Sequence, residues 1–325
     1  MRAAFHNEQG GTEVLRVGEL PDPVPGPSDV LIRVRASALD RVDVYWREGS
    51  HGMRVTPPHV GGRDMAGTVV AMGEEARRLR PELSVGDDVV AMGRRGAHCE
   101  LAVAPASWTF PMPAGCSYEQ AAAIPTAGRS AYDALVGRAA IRPGEDVLVF
   151  AGGSGVGSFG IQIARAAGCR VFTTVGSPEK RKRAVELGAD AVIDHHNDDI
   201  VARVCDLTAG QGVDVVLDHV GAPVFSAAIR SLRPFGRYVT TGVTAGHLAE
   251  LHLGRVFERG LSVLGVGRPD EQQVRETLTA LLRLVERGSV TPEVFAVLPL
   301  EEISAAHELM ESSGFFGKIV LSVGK

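Results

Sequence analysis

A chain of 325 residues is long enough for two domains with cores of their own. Its composition is 45% hydrophobic and 22% charged, and a net charge of −5 with scattered Lys and Arg argues against a nucleic-acid footprint. The opening MRAAFHNEQGG carries charge and no apolar run, and the most apolar window is broken by Ser154, Ser158, Gln162 and Arg165, so neither a secretory signal nor a membrane span is expected. Residues 1–110 read as β-rich. Strands are predicted at Arg2–Asn7, Leu15–Leu20 and Val30–Ala38, parted by a glycine pair and the PDPVPGPSD cluster. Asp40 opens a short helix that stops at Gly49. Met65–Met72 and Asp88–Met92 follow, separated by a charged loop, Glu74–Pro81, and His98–Val103 is a further strand. Short strands at this spacing predict a partly closed barrel.

From Ser117 strand and helix alternate. SYEQAAAIP and RSAYDALVGRAA are helical, and Val147–Phe150 is a short apolar run of the kind buried on both faces of a parallel sheet. The glycine-dense turn Ala151–Gly157 and a small-residue helix ending at Gly168 come next. A turn without side chains lets backbone approach phosphates, and the helix N-terminus supplies N–H groups and a positive dipole end. Such turns also occur without ligands, so the turn alone leaves both readings open. Arg170–Val175 leads to Ser177 as N-cap with Pro178 behind it. Ala191–Ile193, Val213–Asp218, Arg237–Thr241 and Leu261–Gly265 are successive β-branched runs, and Asp270–Arg287 is an amphipathic helix with an Asp-x-x-Gln start. The repeat of β–α units predicts an α/β, doubly wound parallel sheet. The tail returns to strand–helix–strand.

The motifs GGRDMAGTVVAMG, SVGDDVVAMG, EQAAAIPTAG, RPGEDVLVFAGGSGVG, ELGADAVID and GVDVVLDHVG stand in the order in which the medium-chain dehydrogenase/reductase superfamily carries them. The chain resembles that superfamily in its zinc-independent quinone oxidoreductase branch, nearly end to end. The resemblance implies a GroES-like β-rich catalytic domain at 1–122 and 290–325, and a Rossmann cofactor domain at 123–289. It implies nicotinamide and substrate held between them. Gly152 and Gly157 match the first and helix-side glycines, while Ser154 takes the middle place between Gly153 and Gly155. Gly152, Ser154, Gly155, Val156 and Gly157 are the expected pyrophosphate contacts.

An NAD-type site places an acidic residue about 20 positions after the turn. This chain has Gly176 and Ser177 there, followed by Lys180, Arg181 and Arg183. Hydroxyl and cationic donors suit a 2′-phosphate, so NADPH is expected on Ser177, Lys180 and Arg181, with Arg183 on a solvated face. His195 matches a family position near the adenosine end, and His219 closes a strand where ligands bind. Thr126 and Gly242 are expected to line the nicotinamide pocket, Ser130 to touch ribose or relay a proton, and Lys318 to lie near the cofactor.

At the family's catalytic-metal positions the chain has Asp40, Arg63 within Gly62–Arg63–Asp64, and Thr126. Arg63 cannot ligate a cation and Thr126 is a poor zinc ligand. The four cysteines are far apart with no CxxC pair, which excludes a cysteine zinc lobe and fits a reducing cytoplasm. No metal is expected. Without a Lewis acid the favoured acceptor is a quinone or α,β-unsaturated carbonyl, whose reduction gives a delocalised anion. Tyr45 is the expected donor, with a packed aromatic as its alternative role. Arg63 is read either as a substitute for metal charge oriented by Asp40 or Asp64, or as a structural ion pair. His6, His51, His59 and His98 are expected at the surface or at strand ends. The alternatives are an alcohol dehydrogenase-type NADP(H) oxidoreductase and an NADPH-binding structural or regulatory protein. A homodimer through Leu261–Gly265 is expected.

Overall fold

In the computed structural model, which describes residues 1–324, the chain forms two compact units. One comprises Met1–Ala127, Asp270–Glu286 and Pro292–Lys325, the other Gly128–Pro269 and Arg287–Thr291.

The second unit is built on six parallel strands: β1 (Asp146–Val149), β2 (Arg170–Val175), β3 (Ala191–Asp194), β4 (Val213–Asp218), β5 (Leu232–Thr240) and β6 (Ser262–Gly265). Their order is β3-β2-β1-β4-β5-β6, the doubly wound arrangement whose strand order reverses beside β1. All six residues of β4 are buried, which is why its centre, Val215–Leu217, reads as an unbroken apolar run rather than an alternating one. Leu148, Phe150, Phe172, Ile193, Val216 and Tyr238 form the core of one face. The Gly155–Ala166 helix stops as expected, with Gly168 in the left-handed region at φ +81°.

In the first unit a three-stranded antiparallel sheet orders Arg16–Glu19, Arg2–His6 and His59–Val60. The larger sheet runs Val294–Pro299, Lys318–Ser322, Asp29–Ala38, Asp64–Met72, Asp88–Met92, Thr109–Pro111, and Leu101–Pro105 also pairs with Asp29–Ala38. The ten-residue central strand thus bonds Leu101–Pro105 along its first half and Lys318–Ser322 along its last three residues, both on one edge. The core of this unit gathers Ile32, Val34, Leu39, Met65, Val69, Ile319 and Leu321.

Three local expectations change. Glu74–Leu79 is a helix rather than a loop: Glu74 and Glu75 complement its N-terminus, Arg78 pairs with Glu74 one turn away, and Ala76 is buried. The strand expected at His98–Val103 lies three residues later, at Leu101–Pro105. The amphipathic helix Glu271–Glu286 has the predicted Asp270–Gln273 capping box, but groups with the first unit rather than the second. The reason is its apolar face, where Leu278 and Leu282 meet Val90, Met92, Trp108 and Phe110.

Candidate functional site

In the second unit the expected cofactor residues converge at the carboxyl ends of β1, β2, β4 and β5. The turn leaves β1 through Ala151, which holds φ +48° and is tied to β2 by Ala151 N–H to Thr174 Oγ1 at 3.0 Å and Gly152 N–H to Thr174 O at 2.9 Å. A Cβ on Gly152 would lie 2.2 Å from Thr173 Oγ1, and one on Gly157 would lie 2.2 Å from Ala151 O. Both glycines are therefore required by close approach. Ser154 is the N-cap, its Oγ accepting Gly157 N–H at 2.8 Å, and Gly155 and Val156 open the helix. The same Oγ is hydrogen-bonded to His219 Nε2 at 2.7 Å. Gly242 closes the group: a Cβ there would meet His219 O at 3.2 Å. Turn, histidine and glycine are brought together as the sequence suggested.

One contributor was missed. Asp218, the buried last residue of β4, accepts Val220 N–H at 2.7 Å and Tyr238 O–H at 2.6 Å, fixing the loop that carries His219. Its only signal was an acidic residue ending an apolar run.

At the end of β2, Ser177 caps the next helix by accepting Lys180 N–H at 3.3 Å. A Cβ on Gly176 would lie 2.7 Å from His196 Nε2 and 2.9 Å from His195 Nε2. The two imidazole rings are 4.3 Å apart. His195 is held below its usual range by burial and by the neighbouring charges of His196 and Lys180, and burial lowers Lys180 as well. The cation of this corner is the Lys180 ammonium; positions 176 and 177 carry no carboxylate, and the acidic neighbour is Asp194, which accepts His196 N–H at 3.0 Å. Arg181 is a less available donor than expected, because its Nη1 is spent on Val192 O at 2.7 Å.

In the first unit, sheet register assembles a second group. Ala38 pairs with both Asp64 and Val320, and Leu39 N–H reaches Ile319 O at 2.9 Å. Asp40, Asp64 and Lys318 therefore meet at the ends of three strands. Lys318, expected as a cofactor contact, is instead buried, paired with Asp40 and 3.9 Å from Asp64 Oδ2. Asp40 and Asp64 raise its pKa against the lowering effect of burial. Thr126, the second residue of the Pro125–Tyr132 helix, binds Asp64 twice, through N–H to Oδ2 at 2.9 Å and Oγ to Oδ1 at 2.6 Å. Asp43 accepts Asp40 N–H at 2.8 Å and Gly62 N–H at 2.9 Å.

Arg63 joins no ion pair among the described residues: Nε donates to Gly93 O at 3.4 Å and Nη2 faces Met92 Sδ at 3.9 Å. Neither the carboxylate-oriented cation nor the structural ion pair is present. An Arg63→Met variant should fold and keep its turnover within about threefold, the usual scale for a side chain without strong partners; steady-state kinetics checks this. Tyr45 stacks on His51 with ring centroids 4.0 Å apart, and its hydroxyl is buried without a hydrogen-bond partner. Burial raises its pKa, which keeps it a neutral donor. Ser130 is half-buried, one helical turn beyond Thr126.

His6, His59 and His98 are interior residues, not surface ones; only His51 is exposed. His98 Nδ1 lies 2.8 Å from Ser37 Oγ, and His6 and His59 pack edge to face. Burial holds His59 to about 4 and His98 and His307 to about 3. Binding protons more weakly folded than unfolded, they contribute stability that is lost as pH falls below 6.5. Asp43 and Asp64 are pushed up to about 7 and about 8 by burial and then by Asp40. Their contribution is present at low pH and lost as pH rises through those values. The three histidines outweigh the two carboxylates on the acid side, so thermal stability should peak between about pH 6 and 7 and fall on either side. Melting curves across pH check this.

The donor set does not fit zinc. At the three family ligand positions stand a carboxylate already bound to an ammonium, a guanidinium, and a hydroxyl engaged with Asp64. Among the described residues no group of three or more His, Cys, Asp or Glu is arranged to hold a metal, and no helix is long and apolar enough to cross a membrane. The backbone cradle at Gly152 and Gly157, by contrast, fits a pyrophosphate.

Residues 26–114 match the family model of the alcohol dehydrogenase GroES-like domain, and residues 155–287 that of the zinc-binding dehydrogenase. A quinone oxidoreductase of Pseudomonas aeruginosa is 32% identical, covering 96% of each chain. A solved structure described as an NAD-dependent alcohol dehydrogenase has a TM-score of 0.92 at 37% identity, covering 100% of each chain. The Escherichia coli quinone oxidoreductase complexed with NADPH has a TM-score of 0.88 at 28% identity, covering 99% of this chain and 100% of that one. With a GroES-like domain, a doubly wound parallel sheet and relatives matched over nearly its whole length, the chain belongs to the medium-chain dehydrogenase/reductase superfamily.

Proposed function

We propose that the protein is an NADPH-dependent oxidoreductase that reduces a quinone or an α,β-unsaturated carbonyl without zinc. The observation that carries the reading is the donor set in the first unit, where the Lys318 ammonium is paired with Asp40 and the Arg63 guanidinium is directed to Gly93 O. Quinone oxidoreductase relatives, among them an NADPH complex, support the activity and the cofactor.

When bound, NADPH supplies a hydride. Gly152, Ser154, Gly155, Val156 and Gly157 would hold its pyrophosphate through backbone N–H groups and the dipole of the Gly155–Ala166 helix. Ser177 and Lys180, with His195 alongside, would hold the 2′-phosphate, a dianion suited to the Lys180 ammonium. His219 and Gly242 would bound the pocket at the ends of β4 and β5.

On the substrate side, the buried Tyr45 hydroxyl is a donor still in need of an acceptor. A phenol is sufficient for an enolate or hydroquinone anion, whose charge is delocalised; a simple ketone would develop an alkoxide and need a stronger electrophile. The reading includes a homodimer, since β6 is an edge strand with Val263 exposed.

The test is a substrate panel in the presence of a chelator. NADPH should be consumed with quinones and enones, and simple alcohols should not reduce NADP⁺. Alcohol oxidation with little quinone reduction would favour the alcohol dehydrogenase reading instead, to which the 37%-identical structure points.

A further inference from the structure

We propose that Lys318 is a positioning residue: its ammonium, held between Asp40 and Asp64, fixes the carboxylate that in turn fixes Thr126 at the start of the helix also carrying Ser130. The inference rests on the reading above only in giving Thr126 and Ser130 a place beside the nicotinamide.

The chain of contacts is short. Lys318 is the first residue of its strand and is 3% exposed at the side chain. It pairs with Asp40 and lies 3.9 Å from Asp64 Oδ2, too long for a hydrogen bond, and its charge opposes the burial that pushes the Asp64 carboxyl up, so it favours the ionised form that accepts both Thr126 bonds. Asp64 has both oxygens committed to Thr126, at 2.9 Å to the backbone N–H and 2.6 Å to Oγ. That pair of bonds takes up one free N–H of the helix start and sets the rotamer of the threonine. Asp40 Oδ2 is buried with no hydrogen-bond donor, so the group is short of donors.

Stability does not account for the charge. A buried ion pair recovers its desolvation cost only with very good geometry, and an apolar residue of the same volume often serves equally well. A methionine at 318 with a neutral partner at 40 would fill this space. What it would not do is attract Asp64. The ammonium is thus explained by what Asp64 must be held to do.

Lys318→Met alone strands Asp40 and is expected to fold poorly. Asp40→Asn/Lys318→Met removes both charges together and is the informative variant. It should fold, bind NADPH within about threefold of wild type, and lose about tenfold in kcat with little change in KM, a split that generalised damage does not give. Thr126→Val should lower kcat in the wild type but not further in the double variant, because the two act through one link. Amide hydrogen exchange at Thr126 supplies a readout independent of turnover, and should quicken by about tenfold in the double variant. Unchanged exchange overturns the proposal, even if the wild type reduces no quinone and the functional reading has failed on its own. Faster exchange with wild-type kcat, or equal effects of Thr126→Val in both backgrounds, also overturns it.

Discussion

Gly157→Ala should abolish measurable NADPH binding and lower the melting temperature, although alanine is the better helix former. Helix propensity favours the substitution by about 1 kcal/mol. The new Cβ, however, would lie 2.2 Å from Ala151 O and 2.8 Å from Gly152 Cα, and both are backbone atoms of the turn itself. No rotamer change relieves that contact; the turn must move away from the helix. Forcing a methyl group into a packed site costs about 1–3 kcal/mol, enough to cancel the propensity gain. The same displacement would spoil the N–H cradle, so the loss in binding should exceed the loss in stability. Thermal melts with and without NADPH measure both. A variant that melts at the wild-type temperature and is still stabilised by NADPH would mean that the turn is not built as described.

Lys180→Ala should weaken NADPH binding by about 10- to 100-fold, the equivalent of one hydrogen bond to a charged group, and leave NADH binding unchanged. The argument rests on the corner around Gly176. An NAD-type site places an acidic side chain there to hold the 2′-hydroxyl. Here position 176 has no side chain, and two imidazole Nε2 atoms stand within 3 Å of where a Cβ would begin. His195 is held below its usual range first by burial and then by His196 and Lys180, against the opposing Asp194 carboxylate, so it stands beside the Lys180 ammonium as a neutral imidazole donor. Calorimetric titration of both cofactors separates the outcomes. Equal losses for NADPH and NADH would place Lys180 outside the 2′-phosphate site.

The second unit was legible because its signals are local. Continuous apolar runs predict strands buried on both faces, Ser177 and Pro178 predict a helix start, and Gly152, Ser154 and Gly157 predict a turn of close approach. All of these follow from neighbours within a few residues. What the sequence did not disclose depends on register. Lys318 lies 278 residues from Asp40, and only the pairing of Ala38 with both Val320 and Asp64 brings the three charges together. Arg63 was the natural candidate to replace a metal's charge, since it occupies a ligand position; the cation that meets the carboxylates comes from the far end of the chain. His6, His59 and His98 looked isolated for the same reason, each having partners from other strands. Helical patterning also hid one irregularity: after Tyr132 the RSAYDALVGRAA helix passes into a wider turn, with Ala139 N–H on Ala134 O at 2.8 Å.

The most direct test of a metal-free hydride transfer is an anaerobic single-turnover experiment on chelator-treated protein, with NADPH deuterated at its transferring position and a quinone as acceptor. NADPH should be oxidised at the same rate before and after chelation, and slowed by the deuterium. Oxidation that vanishes with the chelator and returns with added zinc would contradict the account, as would an absence of oxidation with every quinone tried.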